Sequence, residues 1–426
     1  MRHFRHLAPE VRQALFHREP ADFGPDSPAR TLGSALGGTL YCPANRPRLA
    51  ADVRKQADRG VVSMVLCLED SIQDGEVPAA EANLVEQFAE LCSVWRPSAV
   101  TEPAAADSPV TRKMTQPVPG QAGATERSAA ERGADDTGAP LLFIRVRRPD
   151  QIPDLVRRLG ADARLLSGFV LPKFTPDSGR CFLEALSVAE EASGRRFLAM
   201  PVLESPELLH LESRVRILTG LARLLEQHRE RVPALRLGVT DFCSAYGLRR
   251  TPEMTAYDVQ LVASVISDVV NVLGRADGTG FVVTGPVWEY FRTPERMFKP
   301  QLRSSPFLSG RAEELRANLI EHDMDGLLRE IELDRANGLL GKTCIHPSHV
   351  APVHALSVVT HEEYTDATDV LRPERAGGVL RSAYTNKMNE VKPHRAWAER
   401  TLLRGEVFGV AQEGVGFVEL LAAGSK

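Results

Sequence analysis

The stretch FLAMPVL at residues 197–203 stops at Glu204, and a second apolar run, LRLGV at residues 235–239, ends just before Asp241. Between the two runs, leucine and valine recur every three or four positions, which is typical of an amphipathic helix. A strand, a helix and a second strand in this order predict a βαβ unit whose two strands are parallel neighbours. This stretch therefore predicts an α/β fold.

One carboxylate follows each of these two predicted strands. Neighbouring parallel strands lie about 4.8 Å apart, so we expect Glu204 and Asp241 side by side at one edge of the sheet. Two such carboxylates repel each other unless a proton or a cation lies between them. Mg²⁺ commonly takes one or two protein carboxylates and leaves other positions open, so the pair predicts an Mg²⁺ site. The alternative is that Glu204 caps the following helix and Asp241 forms a salt bridge.

The same alternation of apolar runs and helical patterns continues in both directions along the chain. Eight strands are predicted, at residues 39–42, 61–68, 141–146, 168–171, 197–203, 235–239, 281–284 and 342–345. Each is followed by a helix or a helix-sized segment, including a long amphipathic one at 311–337. Eight such units predict a closed TIM (β/α)₈ barrel, which we place at residues 38–362.

The segments outside this pattern are predicted to flank or interrupt the barrel. Residues 1–37 form an N-terminal segment, with a helix at 9–17 followed by a loop. Residues 97–137 are dominated by Ala, Pro, Gly, Thr and Ser, which predicts a disordered insertion. Residues 363–426 form a C-terminal lid or arm with a helix at 393–403, placed on a barrel mouth of its own or of a neighbouring subunit. A plain surface helix is the alternative.

Composition indicates the class of protein. The chain has 426 residues, 43% of them hydrophobic and 25% charged, which is an ordinary globular composition. A net charge of −4 gives no long-range reason to bind nucleic acid or an anionic membrane. The six cysteines are scattered without a CxxC pair, and no run reaches the roughly 18 apolar residues of a membrane span. These features predict a cytoplasmic protein with reduced thiols.

The residues at the predicted strand ends combine carboxylates with cations. In chain order they are Asn45, Arg46, Arg48, Glu69, Asp70, Arg145, Arg147, Lys173, Glu204, Asp241, Trp288, Glu289 and His346. In a TIM barrel this rim carries the chemistry. The set suits an anionic, oxygen-rich substrate bound through a divalent cation, with Arg46, Arg145 and Lys173 as its cationic wall. Arg46 is equally well explained as a solvated loop residue, and a structural role is the favoured explanation for His346.

Seven short segments carry a more specific signal. They are YCPANRP at 41–47, VLCLEDS at 65–71, IRV at 144–146, VLPK at 170–173, VLESP at 202–206, LGVTD at 237–241 and GKTCIHPS at 341–348. In this order they resemble the HpcH/HpaI aldolase/citrate lyase family, in its citrate lyase β-subunit-like branch of Mg²⁺-dependent C–C bond lyases.

The resemblance implies roles for the rim residues. Glu204 and Asp241 would bind Mg²⁺, and Arg145 would contact the carbonyl or carboxylate of the substrate. Glu69 and Asp70 would support the waters of the metal and Arg145. The expected reaction is cleavage of a hydroxy acid or its acyl-CoA thioester through a metal-stabilised enolate, so the expected partner is a small carboxylate or an acyl-CoA.

The C-terminal segment and two rim positions add further expectations from the resemblance. MNEVKPH at 388–394 looks like the family's lid, which closes over a neighbouring subunit in a homotrimer or hexamer, with Glu390 where an Asp is usual. Departures are Thr240 in place of the usual Glu before the second metal ligand, Ala245 in place of an acidic residue, and Ala44 in place of Gly. The base that takes the hydroxyl proton stays open between a metal water held by Glu69 or Asp70, and Glu390.

Two other functions remain open on the sequence alone. The same site could serve a thioesterase or a synthase acting on malyl-CoA-like thioesters. The departures also allow a catalytically silent barrel that acts as a binding partner.

Overall fold

The structure of the protein is a computed structural model, and it describes residues 1–95, 138–291, 324–374 and 377–424. The predicted insertion at 97–137 and the first part of the predicted helix at 311–337 lie outside the described residues.

The secondary structure alternates as the sequence predicts. The strands of the described residues, numbered in chain order, are β1 (Phe16–Arg18), β2 (Gly38–Pro43), β3 (Ser63–Cys67), β4 (Leu141–Arg145), β5 (Leu166–Leu171), β6 (Leu198–Leu203), β7 (Ala234–Leu237), β8 (Val282–Val283), β9 (Lys342–Cys344), β10 (Val379–Arg381), β11 (Met388–Glu390) and β12 (Val410–Ala411). The α-helices of the same residues are Pro9–Leu15, Ala29–Ala35, Leu49–Asp58, Val77–Val94, Gln151–Leu159, Pro176–Ser193, Leu211–Glu226, Val239–Ser244, Gln260–Leu273, Met324–Ala336, Val350–Ser357, His361–Val370, Val391–Phe408 and Phe417–Gly424.

Strands β2 to β9 form a single parallel sheet that closes on itself. Their order is β8, β7, β6, β5, β4, β3, β2, β9, so chain neighbours are sheet neighbours except where β9 returns to β2. The two edge strands meet where Gly285, just after β8, forms a parallel bridge with Lys342 of β9. The predicted TIM-barrel architecture is therefore confirmed.

The strands are apolar on both faces because both faces are covered. Every residue of β3, β5, β6 and β7 is buried. Alternate residues belong to different apolar clusters: Leu66, Ile144 and Phe169 pack with the helices around the sheet, and Val65, Phe143 and Val170 belong to the second cluster. Continuous apolar runs are what a sheet buried on both faces requires. Arg145 lies two residues after Phe143 and therefore points to the same side as Phe143.

The sequence prediction was wrong about the end of the strand predicted at 235–239, which is β7 of the structure. It extended that strand through Val239, whereas β7 ends at Leu237 and the helix Val239–Ser244 follows at once. Gly238 makes the transition, because its N–H still bonds to Leu203 of β6 while its carbonyl already accepts from Phe242. Asp241 thus lies in the first turn of a helix and not directly at a strand end.

The N-terminal and C-terminal segments pack together at the amino ends of the barrel strands. Strand β1 pairs antiparallel with β12. The helix Ala29–Ala35, which the sequence prediction placed in a loop, buries Leu32 and Leu36 almost completely. Gly33 fits so closely against the barrel that an added Cβ would lie 2.1 Å from the Pro233 carbonyl oxygen.

The C-terminal helix that the sequence predicted at 393–403 is longer than predicted. It spans Val391–Phe408 and not 393–403. It packs against His361–Val370 and against Ala29–Ala35, and Arg400 donates to the carbonyl oxygen of Gly274, in the turn that leads towards the start of β8. In this chain the helix therefore lies towards the amino ends of the strands. None of the described helices is both long and apolar enough to cross a membrane.

Candidate active site at the carboxyl ends of the strands

Five of the side chains predicted for the rim come from four consecutive barrel strands. Glu69 and Asp70 follow β3, and Arg145 is the last residue of β4, in register with Cys67 of β3. Lys173 follows β5 and Glu204 follows β6. Because these strands are parallel, their carboxyl ends and the five side chains lie at one end of the barrel.

Arg145 is the centre of this group. Its Nη2 lies 2.8 Å from Glu69 Oε2, 3.0 Å from Glu204 Oε1 and 3.4 Å from Asp70 Oδ2. Burial alone would lower the pKa of Arg145, but the negative charges of Glu204 and Glu69 raise it above its ordinary value. Its Nε is buried without a hydrogen-bond partner. The guanidinium is therefore a fixed positive charge with one donor still unsatisfied.

Glu204 is held by the backbone as well as by Arg145. Its Oε1 accepts a 2.9 Å hydrogen bond from the backbone N–H of Lys173. Lys173 has a φ of 47°, a left-handed conformation that is uncommon outside glycine. At Gly238 an added Cβ would lie 2.3 Å from Glu204 Cβ and 2.5 Å from Oε2, so only glycine leaves room for the carboxylate.

Burial and neighbouring charges place the pKa of Glu204 near neutral pH. Burial raises its pKa to about 7, against the opposing charge of Arg145, and the charge of Asp241 acts in the same direction as burial. Burial also raises the pKa of Asp241, while Lys173 and Arg145 oppose that shift. The effect of the Asp241 charge on the pKa of Glu204 indicates that the two acidic groups are near each other.

Glu69 and Asp70 differ in environment although they are adjacent in sequence. Glu69 is buried, and its Oε1 lies 2.8 Å from Lys173 Nζ. Burial would raise the pKa of Glu69, but hydrogen bonding with Asp70, the charge of Arg145 and the Lys173 contact lower it. The Asp70 side chain is 56% exposed, and burial together with Glu69 raises its pKa to about 6. One carboxylate is thus held ionised and its neighbour titrates near neutrality.

The charge balance of the site is uneven. With all of them ionised, the four carboxylates Glu69, Asp70, Glu204 and Asp241 exceed the two cations Arg145 and Lys173 by two negative charges. A divalent cation would neutralise them, and carboxylate oxygens are the ligands that Mg²⁺ prefers. Within the parts of the chain that the structure describes, no three His, Cys, Asp or Glu side chains are grouped so as to hold a metal by themselves. The donor set therefore fits an ion that takes two protein carboxylates and fills its other positions with water or substrate.

Several predicted rim residues lie apart from this group. Arg46 is exposed and pairs with Asp52 at 2.5 Å. Arg147 donates to the carbonyl oxygens of Leu68, Glu69 and Ile72, so it fixes the loop after β3. The side chain of His346 bonds to Ser348 and stacks on Phe291.

Glu390 also lies apart from the rim contacts of its own chain. It ends β11 of an exposed hairpin, and its backbone N–H donates to His394. Its predicted role concerns a neighbouring subunit and stays a prediction.

Sequence reasoning quoted Tyr41 and Arg236 without giving them a role, yet both lie inside the barrel. Arg236 is 1% exposed and donates to the hydroxyls of Thr39 and Thr343 at 2.7 and 3.1 Å. Its guanidinium carbon lies 5.6 Å from the Tyr41 ring centroid. Burial raises the pKa of Tyr41, against the charges of Arg236 and Arg145. A lone arginine inside the LRLGV run was the available signal.

A second buried charge network adjoins the rim and was not predicted. Lys342 Nζ lies 2.7 Å from both Glu330 Oε1 and Asp334 Oδ2, and Arg250 Nη1 lies 2.8 Å from Glu330 Oε2. Arg250 also pairs with Glu289 at 3.5 Å. The spacing of Glu330 and Asp334, four residues apart on one helix face, was the only sequence signal.

Comparison with known proteins identifies the family to which the chain belongs. A family described as C–C bond lyase of the TIM-barrel fold matches residues 30–410. A citrate lyase from Burkholderia xenovorans LB400 shares 16% identity and a TM-score of 0.55, over 91% of this chain and 96% of that chain. CitE from Mycobacterium tuberculosis, solved with magnesium, acetoacetate and coenzyme A, shares 18% identity and a TM-score of 0.47, over 87% of this chain and 98% of that chain. No curated protein matches the chain.

Proposed function

Because the chain belongs to the C–C bond lyase family of the TIM-barrel fold, we propose that it is an Mg²⁺-dependent lyase acting on a hydroxy acid or its acyl-CoA thioester. The observation that supports this proposal is the group around Arg145. A fixed guanidinium lies among three carboxylates at the carboxyl end of the barrel. With Asp241 and Lys173 included, the four carboxylates, when ionised, outnumber the two cations by two charges.

Glu204 and Asp241 are the proposed ligands of the metal. Mg²⁺ bound there would act as a Lewis acid towards the carboxylate and adjacent oxygen of a substrate. Lys173 supports this arrangement twice, since its backbone N–H orients Glu204 and its ammonium pairs with Glu69. Gly238 contributes by leaving the space that the Glu204 carboxylate fills.

Arg145 is proposed to stabilise the negative charge that develops on the substrate. Its raised pKa keeps it cationic throughout the reaction. Its side chain is 12% exposed, so part of the guanidinium can meet a substrate oxygen, and donors fixed before the reaction need no reorganisation when charge appears. Lys173, with a side chain 56% exposed, is the second cation able to meet an anionic substrate group.

Asp70 is proposed as the group that takes the hydroxyl proton. It is half-exposed and its pKa of about 6 lies near neutral pH, whereas Glu69 is buried, and hydrogen bonding with Asp70 and the charge of Arg145 lower its pKa. As the proton moves to Asp70, the hydroxyl oxygen becomes a carbonyl oxygen and the adjacent C–C bond breaks. The electron pair of that bond stays on the departing fragment as an enolate, which later takes up a proton.

A neighbouring subunit is part of the proposal. Glu390 would complete the site from the C-terminal segment of another copy in a homotrimer or hexamer. Sedimentation of the purified chain tests this assembly, and mixing inactive Asp70→Asn with inactive Glu390→Gln tests the shared site. Recovery of activity in the mixture supports a contribution from another copy, and continued activity of Glu390→Gln alone contradicts it.

The deciding experiment combines metal binding with product analysis. Glu204→Gln and Asp241→Asn are compared with the wild type and with Glu207→Gln, a matched control in which an exposed neighbour is neutralised. Calorimetry with Mg²⁺ should show at least tenfold weaker binding in the two site variants and no change in the control. Assays with malyl-CoA, citramalyl-CoA and the free acids should show Mg²⁺-dependent C–C cleavage by the wild type and the control, and none by the two site variants.

The possible results separate the alternatives. Release of free CoA without C–C cleavage would indicate a thioesterase, and condensation of a 2-oxo acid with an acyl-CoA would indicate a synthase. Absence of Mg²⁺ binding by the wild type would overturn the proposal and leave a silent barrel.

A further inference from the structure

A cavity of about 1080 Å³ lies at the opposite end of the barrel from the candidate active site. Its walls are the turns that precede β7, β8 and β9, together with the helices Ala29–Ala35 and Val391–Phe408. Cavities of this size commonly hold small molecules.

The cavity is lined by six arginines. They are Arg30, Arg229, Arg275, Arg335, Arg400 and Arg404. Arg404 pairs with Glu363 at 2.8 Å, and Arg229 pairs with Glu226 outside the cavity. For the other four, no carboxylate oxygen of the described residues lies within 4 Å of the guanidinium. The hydrogen bonds of Arg275, Arg335 and Arg400 go to backbone carbonyl oxygens instead.

Five acidic residues also line the cavity. Glu363 pairs with Arg404, and the other four form no ion pair with a lining arginine among the described residues. Asp277 accepts from the backbone and hydroxyl of Thr279 in its own turn. Glu399 pairs with Arg395 on its own helix, at 3.3 Å. The remaining two, Glu230 and Glu332, are exposed to solvent.

The arginines also act on one another. Burial lowers the pKa of Arg400, and the charge of Arg30 lowers it further. Burial likewise lowers the pKa of Arg404; Glu363 opposes this, and Arg335 adds to it. Arg404 is 8% exposed, and its Nε is buried without a hydrogen-bond partner. Like charges this close are unfavourable unless an anion lies between them.

An aromatic and an apolar surface complete the cavity. Trp397 lines it and is 37% exposed, one turn before Arg400 on the same helix. Val232, Pro233, Val282 and Leu339 provide an apolar floor. Guanidinium groups bind phosphate with two parallel hydrogen bonds, and an indole stacks on a planar ring.

We propose that this cavity binds a nucleoside phosphate, with its phosphates among Arg30, Arg400 and Arg404 and its base against Trp397. The bound molecule would connect the C-terminal helix to the amino ends of β7, β8 and β9. It would therefore stabilise the fold at a distance from the catalytic residues, as any ligand that binds only the folded state does.

Binding is tested by calorimetry and thermal unfolding of the full chain in EDTA, so that divalent ions do not contribute. The probes are ATP, pyrophosphate and adenosine. ATP should bind and raise the unfolding temperature by about 2–4 °C when in large excess over its Kd. Pyrophosphate should bind more weakly and adenosine barely at all, because the arginines supply most of the attraction. Affinity should fall as NaCl is raised.

Variants locate the site. Arg30→Ala/Arg400→Ala should weaken ATP and pyrophosphate at least tenfold, and Trp397→Ala should weaken ATP but not pyrophosphate. The matched control is Arg372→Ala, which removes an arginine that pairs with Asp369 outside the cavity. Lys173→Ala should bind ATP like the wild type, since Lys173 belongs to the opposite end of the barrel.

Failure of the wild type to bind either phosphate probe overturns the proposal. So does ATP binding that is unchanged in Arg30→Ala/Arg400→Ala or is lost in Lys173→Ala. Circular dichroism of each variant establishes folding, and because Arg30 and Arg400 are exposed residues their truncation leaves the core intact. Arg400→Lys, which keeps the charge but loses the two-pronged donor, should bind with intermediate affinity.

Discussion

Two buried histidines should make the stability of this protein fall as the pH is lowered. His3 is fully buried and His354 is 4% exposed, and their rings meet edge to face with centroids 4.6 Å apart. His3 also stacks on Phe408 at 4.2 Å. Burial lowers the pKa of His3 to about 3 and that of His354 well below its ordinary value. Both rings are therefore neutral in the folded state.

The size of the effect follows from proton linkage. Unfolded histidines titrate near 6.5, so below that pH the unfolded state binds protons that the folded state refuses. Stability is thus fully present above 6.5 and is lost as the pH falls towards the folded pKa. Between pH 7.5 and 5.0 a histidine whose folded pKa lies well below 5 costs about 2 kcal/mol, or about 4 kcal/mol for His3 and His354 together.

Urea unfolding at the two pH values measures this loss. The free energy of unfolding is compared for the wild type, His3→Phe and His210→Gln, with fluorescence and circular dichroism required to give the same transition. Phenylalanine keeps the packing on Phe408 but cannot be protonated. The free energy of unfolding of His3→Phe should therefore fall less between the two pH values than that of the wild type, by about 2 kcal/mol. Other groups, such as Glu204, titrate in both proteins and cancel in this comparison.

His210 is exposed, so His210→Gln should retain the wild-type decline. An equal decline in the wild type and His3→Phe would show that His3 is protonated in the folded protein, and the reasoning from burial would be wrong.

Three further predictions concern the site and the charge network beside it. Arg145→Lys should lower kcat/KM by about 100-fold with Mg²⁺ affinity retained, because one ammonium cannot replace a planar guanidinium among three carboxylates; steady-state kinetics measures this. Gly238→Ala should displace the Glu204 carboxylate and weaken Mg²⁺ at least tenfold by calorimetry, with the fold retained. Lys342→Met should destabilise the fold by about 3–5 kcal/mol in urea, because two buried carboxylates lose their ammonium.

Each of these three has a matched control. Arg148→Lys changes an exposed arginine three residues further along, and kinetics like those of Arg145→Lys would remove the case for Arg145. Gly24→Ala adds a Cβ where no atom lies within 4 Å, and equal loss of Mg²⁺ there would mean a general effect. Lys55→Met removes an exposed lysine, and comparable destabilisation would show that burial of Lys342 is not the cause.

The barrel could be predicted from sequence because its signal is local. A strand buried on both faces must be apolar at every position, and eight such runs separated by helical patterns leave few other architectures. The rim carboxylates and Arg145 followed from the same logic, because the residue after each run lies at a known end of the sheet.

The sequence predictions were wrong where the secondary structure depends on tertiary packing and not on the local pattern of apolar residues. Val239 is fully buried, and an apolar residue fits the last position of a strand as well as the first turn of a buried helix, so the run at 235–239 concealed the turn at Gly238. The helix Ala29–Ala35 is seven residues long and too short to be stable by itself. Its existence depends on Leu32 and Leu36 entering the end of the barrel, which sequence does not reveal.

Thr240, the residue before Asp241, contacts a carboxylate from a different loop of the barrel. Thr240 departs from the pattern of the resembled family, in which an acidic residue is usual at this position. In the structure the Thr240 hydroxyl donates to Glu289 Oε1 at 3.2 Å, so a carboxylate from the loop after β8 contacts the residue that precedes Asp241. Arg250 pairs with that carboxylate and with the buried Glu330, which joins the rim to the helix Met324–Ala336. A carboxylate from another loop therefore contacts the position where the resembled family usually has an acidic residue, which is compatible with the proposed metal site.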